Sequence, residues 1–574
     1  MIRRRLRRIA FLQGEVVTIH AAALILGSAG LMSRMLGVVR DHLLASRFGA
    51  GRELDIYNAA FNIPDFMSVL FLLGGASAAI LPMFQEYLGR DKEKAHEFIS
   101  VLAILFFLGS SILCVIAFLL APFLIRFVVP GFGPEDQTLT ASLTRLMLIS
   151  PFLLGLSGIF SVVVQSFQRF FIYALAPILY NIGIIVGILF FIPRFGIMGL
   201  AGGVVLGALL HMGLQVWSVV LLGYPPRLLY SFRHLGDLIA SFGASMREVV
   251  MTAVPRVVSV SLAQITLLIL DAIGSTLAVG SIAVLGLAQN LYFVPVGIFG
   301  TSYATAIFPR LVKAAAARSG EDFSRELFSG IRSIFFWVSP SVALFIVLRA
   351  HIVRAALGAR AFTWEDTRLT AAVLAALAIA MLAASLQTLL LRGFYAHGNT
   401  WIPLAVNIAA SFFSILLAFL LTHVLGTASG ARDALTAIFR ISDMAHPEVL
   451  GLGLGFASGL VLDVAILSVL LIAYARKSLG DTTHAGWREI MKIMMASIVA
   501  GLAAYAIRAN FSQALPLITF VRVLLQGAIS AAVGSAAYIG ALMLMRSEDI
   551  MWLRRLASRH IFSLRILPKY WDGE

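Results

Sequence analysis

Residues 33–41 read SRMLGVVRD, which places two guanidinium groups, Arg34 and Arg40, and a carboxylate, Asp41, near the end of a long apolar run. A guanidinium is a planar fork of N–H donors that fits the paired oxygens of a phosphate or carboxylate. Inside a membrane such a group is costly and normally faces a cavity, a partner or an interface. Arg34 and Arg40 stand about 120° apart on an ideal helix, whereas Arg34 and Asp41 nearly share a face and could pair. The competing reading has both arginines snorkelling to the headgroups. Further polar groups are set into other apolar runs: Asp55 at the start of the next one, then Gln289 and Asn290, then Asp271 and Asp463 standing alone. For Asp271 and Asp463 there are two readings, an ion-binding carboxylate or a hydrogen-bonded helix contact. His20, His211 and His397 lie at no ligand spacing, and the single cysteine, Cys114, supports neither a disulfide nor a cysteine metal site. With no phosphate-binding glycine loop, metal cluster or nucleophile triad in view, the residues point to anion binding, with no cofactor and no catalysis.

The elements that must carry these residues are membrane helices. Of the 574 residues 60% are hydrophobic and 13% charged, with a mean hydropathy of +0.93. Apolar runs long enough to cross hydrocarbon recur along the whole chain. A β-barrel is excluded, since its strands would alternate apolar and polar residues. Fourteen spans are expected, near 17–46, 56–86, 98–124, 142–164, 173–193, 198–222, 249–273, 282–310, 331–349, 367–391, 402–424, 451–475, 489–508 and 518–545. The net charge of +15 lies in loops and tails, which argues against nucleic acid. With both termini cytoplasmic, the inner segments collect about 28 Lys and Arg against about 10 outside, as the positive-inside rule requires.

Two matches suggest that the chain is duplicated. ASAAILPMFQEYLGRDKEKAHEF (76–98) resembles ATAIFPRLVKAAAARSGEDF (304–323), and PILYNIGII at Pro177 resembles PLAVNIAAS at Pro403. The separations are nearly equal, 227 (309 − 82, for Pro82 and Pro309) and 226 (403 − 177). The expected division is a basic N-terminus (1–16), a six-helix lobe (17–222), an amphipathic interfacial linker (223–248), a second six-helix lobe (249–475), two added helices (476–545) and a basic tail (546–574). The fold class is therefore an all-α polytopic membrane protein with two pseudo-symmetric lobes, an arrangement suited to alternating access. Glycines four apart, such as Gly199, Gly203 and Gly207, and later Gly451, Gly455 and Gly459, read as close helix packing.

Six blocks carry a family resemblance. SRMLGVVRDHLLASRFGAGRELDIYNAAFNIPDF (33–66), QRFFIYALAPILYNIGIIVGILF (168–190), GLAGGVVLGALLHMGLQ (199–215), AQNLYFVPVGIFGTSYATAIFPRL (288–311), RAFTWEDTRLTAAVL (360–374) and RGFYAHGNTWIPL (392–404) resemble, in order, the MurJ-type lipid II flippases of the multidrug/oligosaccharidyl-lipid/polysaccharide exporter superfamily. The resemblance implies a substrate, lipid II, the undecaprenyl-pyrophosphate-linked peptidoglycan precursor. It also implies a role in cell wall biogenesis at the bacterial inner membrane, and the chain is expected to act as a monomer. By this resemblance Arg34 and Arg40 match the cationic cavity positions of the first helix, Asp55 the acidic position that begins the second, and Gln289 and Asn290 the eighth-helix site; with Asp41 they are the candidate substrate-binding residues. Asp271 matches an acidic position that helps bind sodium in some members, so coupling to the membrane potential, Na⁺ or H⁺ is implied.

The chain departs from the family at two cavity cations. Ser68 (or Val69) stands where the second helix usually carries arginine, Leu73 where it carries glutamate, and Asn290 where the eighth carries arginine. Neutral donors bind an anion roughly half as strongly as charged ones. That keeps two alternatives open: a flippase for another polyprenyl-linked polysaccharide precursor, or a non-transporting relative. A cation-coupled drug antiporter would not want Arg34 and Arg40 in its cavity. A membrane polymerase would need a carboxylate base in an outer loop, and Asp433, Asp443 and Glu448 show no spacing that commits them to this.

Overall fold

The computed structural model describes residues 19–71, 77–227, 235–479, 486–514 and 520–550. The expected N-terminal segment 1–16, Leu73, the central part of the linker and most of the tail lie outside the described residues. Every regular element described is helical. In chain order the elements are α1 (Ile19–Phe48), α2 (Arg52–Phe71), α3 (Ser77–Arg90), α4 (Lys92–Val128), α5 (Pro134–Met147), α6 (Ile149–Ser166), α7 (Phe170–Val186), α8 (Ile192–Phe195) and α9 (Ile197–Leu221). There follow α10 (Leu235–Ser275), α11 (Ser281–Pro295), α12 (Thr301–Ala316), α13 (Gly320–Leu357), α14 (Trp364–Ala396), α15 (Trp401–Gly426), α16 (Gly430–Phe439), α17 (Val449–Leu479), α18 (Trp487–Ala514) and α19 (Phe520–Leu544).

Eleven helices among the described residues are long and apolar enough to cross a membrane. The chain is thus a multi-pass helical membrane protein. The three expected spans beyond these fall on α1, on α2 with α3, and on α10. These three expected spans carry Arg34, Arg40, Asp41, Asp55 and Asp271. Helix α10 begins at Leu235 and runs unbroken to Ser275, so the end of the expected linker continues directly into the seventh expected span. At its start the buried Phe242 packs on Tyr87 and Phe98.

The two halves of the chain use the same helix pairs. In the first half α1 packs on α7, α2 on α5, α3 on α4, α4 on α6, α6 on α9 and α7 on α9. In the second, α10 packs on α15, α11 on α14, α12 on α13, α13 on α14, α14 on α17 and α15 on α17. The tightest pair in each half is seamed by glycine. A Cβ on Gly207 of α9 would lie 2.4 Å from the Tyr180 carbonyl of α7, and one on Gly455 of α17 would lie 2.5 Å from the Ala418 backbone of α15. Without a side chain in the way, two helices approach until their backbones touch, which is how apolar helices gain contact in lipid. Helices α18 and α19 form a hairpin packed on α13.

The halves meet at the junctions near 46–55, 129–131, 275–283 and 356–361. Ala361 N–H donates to the Ser46 carbonyl (3.3 Å), and Gly131 N–H donates to Ser275 Oγ (3.1 Å). Gly280, at φ +92°, lies so close to Ala50 that a Cβ would fall 1.9 Å from its carbonyl oxygen.

Candidate functional site

Between the halves, α1 supplies Arg40 and Asp41, and α11 supplies Asn290. Arg40 donates through Nε and Nη2 to Asp41 Oδ1 at 2.9 and 2.8 Å. The other oxygen, Asp41 Oδ2, accepts from Asn290 Nδ2 at 3.0 Å. One carboxylate therefore ties a guanidinium in the first half to an amide in the second. Tyr57 and Asp65 of α2 and Tyr180 of α7 lie within electrostatic reach of Arg40. Asp65 is solvent-accessible, while Tyr57 and Asp41 are buried.

Arg34 has different surroundings. Its Nη1 donates to the Phe293 carbonyl at 3.3 Å. The helix there passes through a π turn, Val296–Gly300, which disturbs the regular carbonyl ladder. The guanidinium lies against Gly297, where a Cβ would come within 1.8 Å of Nη2. Arg34 also lines a cavity of about 420 Å³ whose other walls come from α10, α11, α12, α14, α15 and α17 and the π turn. Asp463 lines it too, its Oδ2 accepting from Gln387 Nε2 at 2.6 Å.

Several sequence expectations change here. Asp41 pairs with its neighbour Arg40 and not with Arg34, because Asn290 holds the carboxylate toward α11 and Arg40 is long enough to fold back onto it. Asp55 stands apart from the arginines. It is buried at the junction of the halves and accepts from the N–H groups of Gly280 (2.6 Å) and Ala283 (2.8 Å). These are the free donors at the start of α11, where the helix dipole favours an anion. Asp271 accepts from Asn62 Nδ2 of α2 at 2.9 Å, a contact across the halves. Gln289 Nε2 is buried without a hydrogen-bond partner. Ser68 is half-buried on α2.

Asn62, Asp65, Tyr57, Tyr180 and Gln387 were not singled out from the sequence. Asn62, Asp65 and Gln387 carry the signal that exposed the others, a polar side chain inside an apolar run. The tyrosines carry none, since an aromatic ring in a membrane helix is ordinary.

A family profile described as "Lipid II flippase MurJ" matches residues 44–432. The chain belongs to the MurJ family. The MurJ family consists of lipid II flippases, which are transporters and not enzymes, so this MurJ-family chain is read as a transporter. A Buchnera aphidicola protein called "Probable lipid II flippase MurJ" is 30% identical over 396 residues, 67% of this chain and 74% of its own length. A Burkholderia cenocepacia protein called "Lipid II flippase MurJ" is 25% identical over 425 residues, covering 72% of this chain and 80% of its own. Among solved structures, "Lipid II flippase MurJ, inward closed conformation" superposes with a TM-score of 0.63 at 23% identity, over 91% of this chain and all of that one. An inward-facing MATE-family multidrug transporter reaches 0.61 at 15% identity, over 79% of this chain and 98% of that one. These superpositions establish the shared MurJ and MATE fold.

Proposed function

We propose that this MurJ-family chain moves lipid II from the cytoplasmic to the outer leaflet by alternating access. The observation that carries the reading is the Arg40–Asp41–Asn290 bridge between the halves. The Arg40 edge that grips Asp41 is the edge that would grip a pyrophosphate oxygen. A pyrophosphate arriving at Arg40 displaces Asp41 by charge repulsion, and Asp41 then loses its hold on Asn290. Substrate binding and loosening of the halves thus become one event. Arg34, on the adjoining cavity, supplies the second cation, and Asn290 and Gln289 give neutral support.

In this reading the halves are two six-helix lobes related by a pseudo-two-fold along the membrane normal. The junctions that meet are the outer ends, both termini are cytoplasmic, and the chain works as a monomer. Asp271 and Asp463 are the intramembrane carboxylates through which Na⁺, H⁺ or the membrane potential would be coupled. Complementation of a cell depleted of its own lipid II flippase tests the proposal. Growth restored by this chain, and not by its Arg40→Ala variant, is expected. Failure of the expressed, membrane-inserted chain to restore growth would move the reading to another polyprenyl-linked precursor.

A further inference from the structure

Arg349 near the end of α13, Arg440 just past α16 and Arg508 near the end of α18 converge beside the α18–α19 hairpin. Arg349 Nη2 donates to the Phe439 carbonyl at 2.7 Å. The next residue, Arg440, turns the chain with φ of 59°. Arg440 and Arg508 both lie beside the Tyr505 side chain, the Arg508 guanidinium 5.0 Å from its ring centre. Gln526 of α19 fixes the floor, donating from Nε2 to the Arg508 carbonyl (3.1 Å) while its Oε1 meets His351 Nε2 (3.1 Å).

Among the described residues no acid neutralises the cluster. Among the described residues none of the three arginines forms an ion pair, and the charged neighbours of Arg349 are Arg440 and Arg508. The acid on the adjoining loop, Asp443, is held by Arg368 Nη1 at 2.6 Å, and Arg368 Nη2 bonds the Arg440 carbonyl at 2.9 Å. Arg508 Nε is buried with no acceptor among the described residues. Like charges gathered without a counter-ion cost free energy, and an anion with several oxygens removes that cost.

Position narrows the anion. Arg508 lies 21 residues (508 − 487) beyond Trp487 on α18, about 31 Å of helix, which is the thickness of the hydrocarbon layer. Trp487 is exposed at one interface depth, so Arg508 is at the other. Along the same hairpin Leu502, Leu524 and Leu525 are exposed, a surface on which acyl chains can lie. We propose that Arg349, Arg440 and Arg508 bind the phosphate of a membrane lipid in the leaflet at this face.

The site stands independently of the transport reading and is tested by binding alone. The full chain in detergent is titrated with dioleoyl phosphatidic acid, with dioleoylglycerol as the same chains without phosphate, and with inorganic phosphate. Saturable binding of the phosphatidic acid, at least about tenfold tighter than the glycerol, is expected, with inorganic phosphate a weak competitor. The Arg349→Gln/Arg440→Gln/Arg508→Gln triple variant should lose about tenfold or more in affinity, since hydrogen bonds to charge are being removed. Arg440 is exposed, so Arg440→Gln alone, expected to lose several-fold, decides the matter if the triple variant does not fold. Unchanged binding in either variant, or equal binding of dioleoylglycerol, overturns the site. Equal affinity for inorganic phosphate overturns its assignment to a lipid.

Discussion

Arg40 and Asp41 are adjacent in sequence, and adjacent residues on a helix do not normally face each other. Their pairing was therefore hidden in the spacing, which favoured Arg34 with Asp41. What decides the matter is Asn290, 249 positions away. The presence of the arginines could be read from the sequence, but their partners could not, because a partner across two halves leaves no local pattern. If Arg40 grips a pyrophosphate, Arg40→Ala should lower lipid II transport in proteoliposomes by about tenfold to a hundredfold, the worth of a buried hydrogen bond to charge. Asn290→Arg should bind the lipid at least as tightly as the parent, because it replaces a neutral donor with a charged one facing Asp41. Gly297→Ala should reproduce the loss of transport expected of Arg34→Ala without unfolding the chain. The added methyl occupies the place of the guanidinium, and a flexible side chain can swing away where a backbone cannot. Equal transport by Gly297→Ala and the parent would show that Arg34 acts from somewhere other than its seat on the π turn.

The helices themselves were legible, because a long apolar run has few other fates. Boundaries were less so: α10 absorbs part of the expected linker, since nothing in residues 235–249 breaks a helix. The glycine spacing was informative for a physical reason, as only a close crossing needs so many residues without side chains on one face. Gly207→Val should therefore lower the melting temperature of the purified protein. Its Cβ meets a main-chain carbonyl that cannot move aside, and overpacking of this kind costs about 1–3 kcal/mol. Gly213→Ala on the same helix, where a Cβ has open space, should leave the melting temperature unchanged or slightly raised. On α16 and its loop, Arg368 holds the Asp443 carboxyl below the usual carboxylate range. The contribution of that tether is present above the ordinary carboxylate pKa and is lost as the pH falls through the lowered value. A fluorophore at the exposed position 438 should gain mobility in that acid window, and Asp443→Asn should show the same gain at neutral pH.

At the scale of the molecule, two sequence matches at nearly one offset suggest a duplication, and six helix pairs of the first half have counterparts in the second. Which ends of the halves touch was not legible, because contacts such as Asp55 with Gly280 or Ala361 with Ser46 join residues far apart in the chain and leave no local pattern. Ser46→Cys with Ala361→Cys, in a Cys114→Ser background, should form a disulfide under mild oxidant, since a backbone hydrogen bond of 3.3 Å holds these two residues side by side. Transport should stop when the bridge forms and return when it is reduced. A bridged protein that still transports would mean that this junction does not open in the cycle.

The junction of the halves has a further property. At Gly280 a Cβ would strike the Ala50 carbonyl, at Gly49 the Ala361 carbonyl, and at Gly131 the Ser275 carbonyl. At these three positions bare backbone is fitted against bare backbone, amid buried side chains such as Leu54, Phe132, Ile282 and Phe362. A seal of this kind has almost no tolerance, because any side chain at one of the three positions acts as a wedge. Gly280→Val should accordingly leak protons in otherwise intact vesicles, a failure of insulation and not of binding. In evolution such a seal can be retuned only by moving whole helices, since there is no side chain at these positions to trim or enlarge.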